Sequence, residues 1–310
     1  MTTAWVFPGQ GSQAIGMLAD LATEFPTVQE TFAEASAALG KDLWLLAQQG
    51  PEAEINATEN TQPLLLTAGI AVWRTWLTQG GAKPQYVAGH SLGEYTALVA
   101  AGVLSLADGV KLVAERGRLM QAAVPAGQGA MAAILGLEDA QVVAACAEAA
   151  QGEVVSAVNF NSPGQVVIAG SAAAVDRAMA ACKAAGAKRA LPLPVSAPSH
   201  CALMLPAAEK LAAHLQSLTF HTPVIPVVQN VAARIEAGPV AFQASLIAQL
   251  HSPVLWSQSV QWLAEQGVTR FIESGPGKVL TGLNKRIAKE AEHVSVESAE
   301  SLKAALALTE

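Results

Sequence analysis

Short apolar runs alternate along this chain with longer segments whose apolar residues recur every three or four positions. Trp5-Val6-Phe7, Tyr86-Val87-Ala88, Val224 to Val228 and Arg270-Phe271-Ile272 read as strands, and the segments between them read as helices with one buried stripe. That alternation predicts an α/β fold built on a mainly parallel sheet. One stretch departs from it. From Gly129 the order is strand (Met131 to Leu135), helix (Glu138 to Ala150), strand (Val154 to Val158), a turn at Asn161-Ser162-Pro163-Gly164, strand (Gln165 to Ala169), helix (Ala172 to Ala185), strand (Arg189 to Val195). This β-α-β-β-α-β order is that of ferredoxin-like units, whose last strand runs antiparallel to the first and so returns the chain to where it entered. A small ferredoxin-like subdomain is therefore expected at 126–195, inserted into a large domain made of 1–125 and 196–310.

Composition narrows the setting. Hydrophobic residues make up 52% of the 310 and charged ones 14%, a balance that invites a membrane reading. Much of the apolar content is alanine in helical patterns, however, and the longest uncharged apolar run, Thr96 to Ala107, falls short of the ~20 residues a spanning helix needs. A soluble protein is expected. The N-terminal stretch passes directly into a strand without a basic segment and a long apolar run, so a cytoplasmic address is expected. Cys146, Cys182 and Cys201 lack the spacing of a disulfide framework or a zinc site, and no metal is expected. A net charge of −7 with no basic run argues against a nucleic-acid partner.

Against that background one turn carries chemistry. Gly89-His90-Ser91-Leu92-Gly93 fits G-x-S-x-G between a strand-like and a helix-like run, where small flanking residues allow a sharp turn that projects the serine hydroxyl. The plainer alternative is a serine capping the helix. A nucleophilic serine needs a base. Of six histidines, His90 is expected to point away from the turn, His214 and His251 lie in helical patterns, and His221 and His293 have polar surroundings. His200 follows an apolar run that ends in a Pro-containing loop, the kind of strand-end position from which active-site loops project. None of the acidic residues between Ser91 and His200 (Glu94, Asp108, Glu115, Glu138, Asp139, Glu148, Glu153, Asp176) reads as a strand-end orienter. A Ser-His dyad whose imidazole is held by a backbone carbonyl is the simpler expectation. With that turn, the large domain is expected to be α/β-hydrolase-like.

Two further features bear on this chemistry. Gly9-Gln10-Gly11 follows the first strand, where backbone N–H groups could meet a developing oxyanion. A dinucleotide reading of Gly9, Gly11 and Ala14 lacks the acidic strand end that it requires, since Thr31 to Leu39 looks helical. In the helix around Arg116, Leu112, Val113, Arg116 and Met120 share one face, opposite Lys111, Glu115 and Arg118. A guanidinium on an apolar face needs an anion, which either a structural ion pair or a substrate carboxylate would provide.

These residues, with FPGQGSQ, TQPLLLTA, GHSLGEY, ERGRLMQ, VNFNSPGQVVIAG, KRALPLPVSAPSHCALM, QLHSPVLW and GPGKVLTGL, resemble the malonyl-CoA:acyl carrier protein transacylases of bacterial fatty acid synthesis and, more broadly, the acyltransferase domains of polyketide synthases. The resemblance spans nearly the whole chain. It implies Ser91 as acylated nucleophile, His200 as base and later acid, Gln249 as the carbonyl that orients His200, the N–H groups of Gln10 and Leu92 as oxyanion hole, and Arg116 as the grip on the malonyl carboxylate. It further implies ping-pong transfer from malonyl-CoA to holo acyl carrier protein, no metal or redox cofactor beyond the phosphopantetheine that the substrates carry, and a monomer. Ser199 stands where malonyl-selective polyketide domains carry a bulky aromatic. Lys188, Arg189, Lys285 and Arg286 are candidates for meeting the acidic carrier protein. A serine thioesterase and a non-catalytic carrier-binding module are the rival readings.

Overall fold

Along the first strand, side chains alternate between two separate apolar clusters. Trp5 and Phe7 pack with the helices Thr27–Leu39, Thr58–Thr78 and Leu106–Ala123, while Ala4 and Val6 pack with the helices Trp256–Glu265 and Val279–Ile287. Helices on both faces explain why this strand is apolar at successive positions instead of alternating. Trp5 is wedged against Trp73 and Trp76 of one helix, with ring centroids 5.3 and 5.0 Å away.

The computed structural model describes residues 1–195, 197–236 and 238–308. In chain order the strands are β1 (Thr2–Phe7), β2 (Tyr86–Gly89), β3 (Gly129–Leu135), β4 (Val155–Ser162), β5 (Gln165–Ser171), β6 (Arg189–Pro192), β7 (Val227–Gln229), β8 (Arg234–Ile235), β9 (Val268–Ser274) and β10 (Glu292–Val296). Six of them form one sheet in the order β10-β9-β1-β2-β7-β8, parallel except for the β7–β8 pair. The other four form a separate antiparallel sheet in the order β4-β5-β3-β6. The fold is thus mixed α/β.

The expected strands appear with shifted ends. β7 begins at Val227 and not at Val224, which is exposed ahead of Pro226; proline has no N–H to give to the ladder. β6 ends at Pro192, although Leu193 N–H still donates to Met131 O at 2.9 Å. Sequence periodicity missed β8, which has two residues, and β10, whose Glu292-His293-Val294-Ser295-Val296 is half polar at the edge of the sheet. The surroundings of its His293 are mixed: the ring stacks on Phe271, centroids 5.4 Å apart, and Nε2 lies 2.8 Å from Ala288 O.

β4 ties the smaller sheet to the connection between the helices Pro239–His251 and Trp256–Glu265. Val254 N–H donates to Val158 O at 2.8 Å and Phe160 N–H donates to Val254 O at 3.0 Å. The carboxyl ends of the neighbouring strands β1, β2 and β7 lead into loops on one side of the larger sheet, the side where open α/β sheets place their binding crevices.

Candidate active site

Ser91 sits between β2 and the helix Leu92–Ala100 with φ 53° and ψ −109°, a left-handed conformation that a serine holds only when its surroundings enforce it. The two flanking glycines show how. A Cβ on Gly89 would lie 1.9 Å from the Gly93 carbonyl, and one on Gly93 would lie 2.1 Å from Phe7 O. The turn is compressed until no methyl fits. Ser91 makes no side-chain cap to its helix, so the capping reading fails; its hydroxyl faces a cleft of about 610 Å³ instead.

Ser91 Oγ lies 2.8 Å from His200 Nε2, and His200 Nδ1 lies 2.6 Å from the main-chain oxygen of Gln249. A carbonyl only accepts, so Nδ1 carries the proton and Nε2 is left bare to take one from the serine. His200 is held at φ 64° and donates its own N–H to Leu250 O at 2.9 Å, so two adjacent residues of the helix Pro239–His251 fix its backbone and its ring. Burial, helped by the nearby Arg116 charge, pulls His200 down to about 3 against the Gln249 hydrogen bond. It is a neutral base throughout the physiological range.

Arg116 is 1% exposed, on the apolar face its spacing predicts. Glycine makes that placement possible: a Cβ on Gly117 would meet Thr58 O at 2.7 Å, so this helix lies directly against the start of the helix Thr58–Thr78. Arg116 NH1 donates to Gln62 Oε1 at 2.8 Å, and NH2 donates to Gln249 Oε1 at 3.0 Å and to Ser91 Oγ at 3.2 Å. The guanidinium also lies 5.2 Å from the Tyr95 ring. None of these partners is a carboxylate, and Nε has no partner among the described residues. Of the two readings left open, the structural ion pair is therefore not made among the described residues. A fully buried cation beside the nucleophile is left facing the cleft.

Gln10 follows β1 and lines the same cleft, its side chain donating to Thr58 Oγ1 at 3.3 Å. Leu92 opens the helix after the serine, and its N–H is among the four that such a helix leaves without an internal acceptor. The structure thus brings Ser91, His200, Arg116, Gln10 and Leu92 to one cleft, with Gln249 fully buried behind His200 and Arg116. His90, expected to point elsewhere, lines it too: its Nε2 is 2.7 Å from Asn161 Oδ1 on β4, and burial lowers its pKa.

Sequence reading missed three buried polar residues. Gln62 holds Arg116. Asn230, just past β7, accepts from Ser91 N–H at 2.7 Å and donates to Gly89 O at 2.6 Å. Glu94, dismissed as merely helical, accepts from Gln249 Nε2 at 2.8 Å and from Asn230 N–H at 3.1 Å. The one signal for the last was its setting: an acid in the first turn is ordinary for a helix, but here the turns around it read Leu-Gly-x-Tyr-Thr-Ala-Leu and leave it no polar face.

Comparison with known proteins matches this arrangement to one family over most of the chain. The family described as "Acyl transferase domain" covers residues 4–303. The chain belongs to the acyl transferase domain family. Within it, the chain is similar to the malonyl CoA-acyl carrier protein transacylase of Escherichia coli K12, with 61% identity over 98% of this chain and 99% of that one. The Bacillus subtilis protein of the same name is 45% identical over 98% and 96%. Among solved structures, an acyl carrier protein S-malonyltransferase from Vibrio cholerae superposes with TM-score 0.96 at 60% identity, covering 98% of this chain and 99% of that one. A malonyl-transacylase solved with its type II PKS acyl-carrier protein superposes with TM-score 0.98 at 57% identity over 99% and 100%. The acyl transferase match runs from β1 into the helix Ala299–Ala307 and so takes in both sheets.

Proposed function

We propose that the chain is an [acyl-carrier-protein] S-malonyltransferase of fatty acid biosynthesis, carrying malonyl from malonyl-CoA to the phosphopantetheine thiol of holo acyl carrier protein through an ester on Ser91. One observation carries the choice of acyl group: a buried guanidinium without a carboxylate partner among the described residues lies 3.2 Å from the oxygen that would be acylated. Such a cation is costly until an anion reaches it, and an acyl chain ending in its own carboxylate supplies one. The names of the relatives support the same substrate.

In this reading, His200 Nε2 takes the Ser91 proton as Oγ attacks the thioester carbonyl. The oxyanion is met by the N–H groups of Gln10 and Leu92 at the start of a helix, where the backbone dipole favours negative charge. Collapse breaks the C–S bond, and the proton on Nε2 leaves with the CoA thiol. The carrier-protein thiol then gives its proton to His200, attacks the ester and restores the serine hydroxyl. The Gln249 carbonyl keeps the imidazole in one tautomer across both halves, and the carboxylate on Arg116 cancels part of the charge that depresses His200. No metal or redox group takes part.

The remaining assignments belong to the same proposal. Residues 1–125 with 196–310 make a hydrolase-like catalytic domain, and 126–195 a ferredoxin-like subdomain, on the strength of the two strand orders. The chain works in the cytoplasm as a monomer, without nucleic acid or membrane; no helix among the described residues is long and apolar enough to cross a bilayer. Lys188, Arg189, Lys285 and Arg286 are exposed on segments that lead to cleft-lining residues, which suits docking of an acidic carrier. The relative solved with a type II PKS carrier favours a polyketide recipient as a second reading.

Intact-mass measurement after incubation with malonyl-CoA tests the reaction. A malonyl adduct that holo carrier protein then removes is expected, and none on Ser91→Ala. Steady CoA release without an adduct makes the chain a thioesterase, and no reaction at all makes it a binding module.

A further inference from the structure

Glu94 is completely buried, and burial pushes its carboxyl up to about 7 although the bonds from Gln249 and Asn230, the Arg116 charge and the neighbouring Ser245 hydroxyl pull it down. Its oxygens are used unequally. Oε2 accepts from both Gln249 Nε2 and Asn230 N–H, while Oε1 has no partner among the described residues. The two residues that it grips have complementary tasks. Gln249 orients His200 through its main-chain oxygen, spends its second amide hydrogen on Ser91 O at 3.0 Å and accepts from Arg116. Asn230 spans the nucleophile turn, bonding Gly89 on one side of it and Ser91 on the other.

We propose that Glu94 is a positioning residue that couples the holder of the base to the holder of the nucleophile, so that the Ser91–His200 distance is set by one buried oxygen behind both. This rests on the acyl-transfer reading of Ser91 and His200. The serine turn leaves the sheet on β2, the histidine comes from a loop more than a hundred positions later, and Gln249 stands on a third segment. Without Glu94, the Gln249 side-chain N–H and the Asn230 main-chain N–H lose their shared acceptor in a site too dry for water to replace it, and the two segments lose the bond that ties them to each other. The carboxylate touches neither substrate nor reacting atoms. Its effect therefore falls on turnover and not on affinity.

Three variants and one control decide the matter. Glu94→Gln keeps an acceptor oxygen at the same reach, Glu94→Asp draws it back by one methylene, and Glu94→Ala removes it. Steady-state malonyl transfer is measured beside thermal unfolding, together with the rate at which a small sulfonyl fluoride modifies Ser91. For Glu94→Ala, kcat is expected to fall about 100-fold, with KM for malonyl-CoA within about 3-fold and sulfonylation slowed in parallel. Glu94→Gln is expected to stay within about 5-fold of the parent, and Glu94→Asp to lie at least about 10-fold below Glu94→Gln. Should Glu94→Ala fail to fold, the Asp and Gln pair carries the test. A loss confined to KM, an unchanged kcat in Glu94→Ala, or equal activity of the Asp and Gln variants overturns the inference. Ser91→Ala, run alongside, separates the two levels: if it turns over normally, the acyl-transfer reading itself has failed.

Discussion

Gln249 holds His200 by a main-chain oxygen and Arg116 by a side-chain oxygen, at 2.6 and 3.0 Å. One residue thus serves the base and the cation through atoms that mutation can separate. Gln249→Ala keeps the carbonyl and the histidine tautomer but releases Arg116. Transfer by this variant is expected to fall by ~10–10²-fold, well short of the ~10³-fold or greater loss for His200→Ala, with kcat/KM for malonyl-CoA as the readout.

Arg116→Ala deletes the clamp and leaves the dyad. Charge-assisted hydrogen bonds to a carboxylate contribute about 1.5–3 kcal/mol each. Malonyl transfer is expected to lose about 100-fold or more while acetyl transfer changes little, measured as the ratio of the two kcat/KM values. Equal losses for the two acyl groups would remove the carboxylate role.

Because burial, aided by Arg116, holds His200 at about 3, the base is already neutral at pH 6. The expected kcat/KM profile for malonyl-CoA is flat through 6.5, where an ordinary histidine would bend it. Arg116→Ala relieves part of the depression, so its acid limb should move to higher pH. A parent profile with an inflection near 6.5 contradicts the buried, cation-facing imidazole.

The two shifted groups oppose each other in stability. Between about 3 and 6.5 the unfolded chain binds a proton at His200 that the folded chain refuses, so folding gains as pH rises. Between 4.5 and about 7 the folded chain keeps a proton on Glu94 that the unfolded chain releases, so folding loses as pH rises. From 4.5 to 6.5 the two slopes cancel, each up to about 1.4 kcal/mol per pH unit. Glu94→Gln is expected to expose a rise in stability over that interval and His200→Ala a fall, both measured by urea unfolding in a pH series.

Gly93→Ala forces a Cβ to within 2.1 Å of Phe7 O, between backbone atoms that cannot step aside. Loss of the serine turn is expected, seen as loss of sulfonyl-fluoride labelling at Ser91. Gly11→Ala, whose Cβ meets nothing within 4 Å but whose φ is 106°, should show only the smaller cost of backbone strain.

What could be read in the chain beforehand followed from local order. The serine turn is legible because its glycines are adjacent in sequence to what they permit, and Arg116 because a helix face repeats within two turns. The β-α-β-β-α-β segment is legible for the same reason, each element lying next to its neighbour. Gln249 came from resemblance alone, since a main-chain acceptor leaves no trace in residue type. Gln62 and Asn230 escaped notice because amides in helices and loops are ordinary until a tertiary partner is known. Glu94 escaped through a search for an acid that touches histidine directly, whereas this one works through an intervening amide.

The stitch between Val158, Phe160 and Val254 lies five residues beyond Gln249. Pivoting the four-stranded sheet away from its neighbour would tear two main-chain hydrogen bonds next to the carbonyl that aims the imidazole. The four-stranded sheet is therefore moored to the same stretch of chain that carries the Gln249 carbonyl, so the cleft wall that it supplies and the aim of the imidazole share one anchorage.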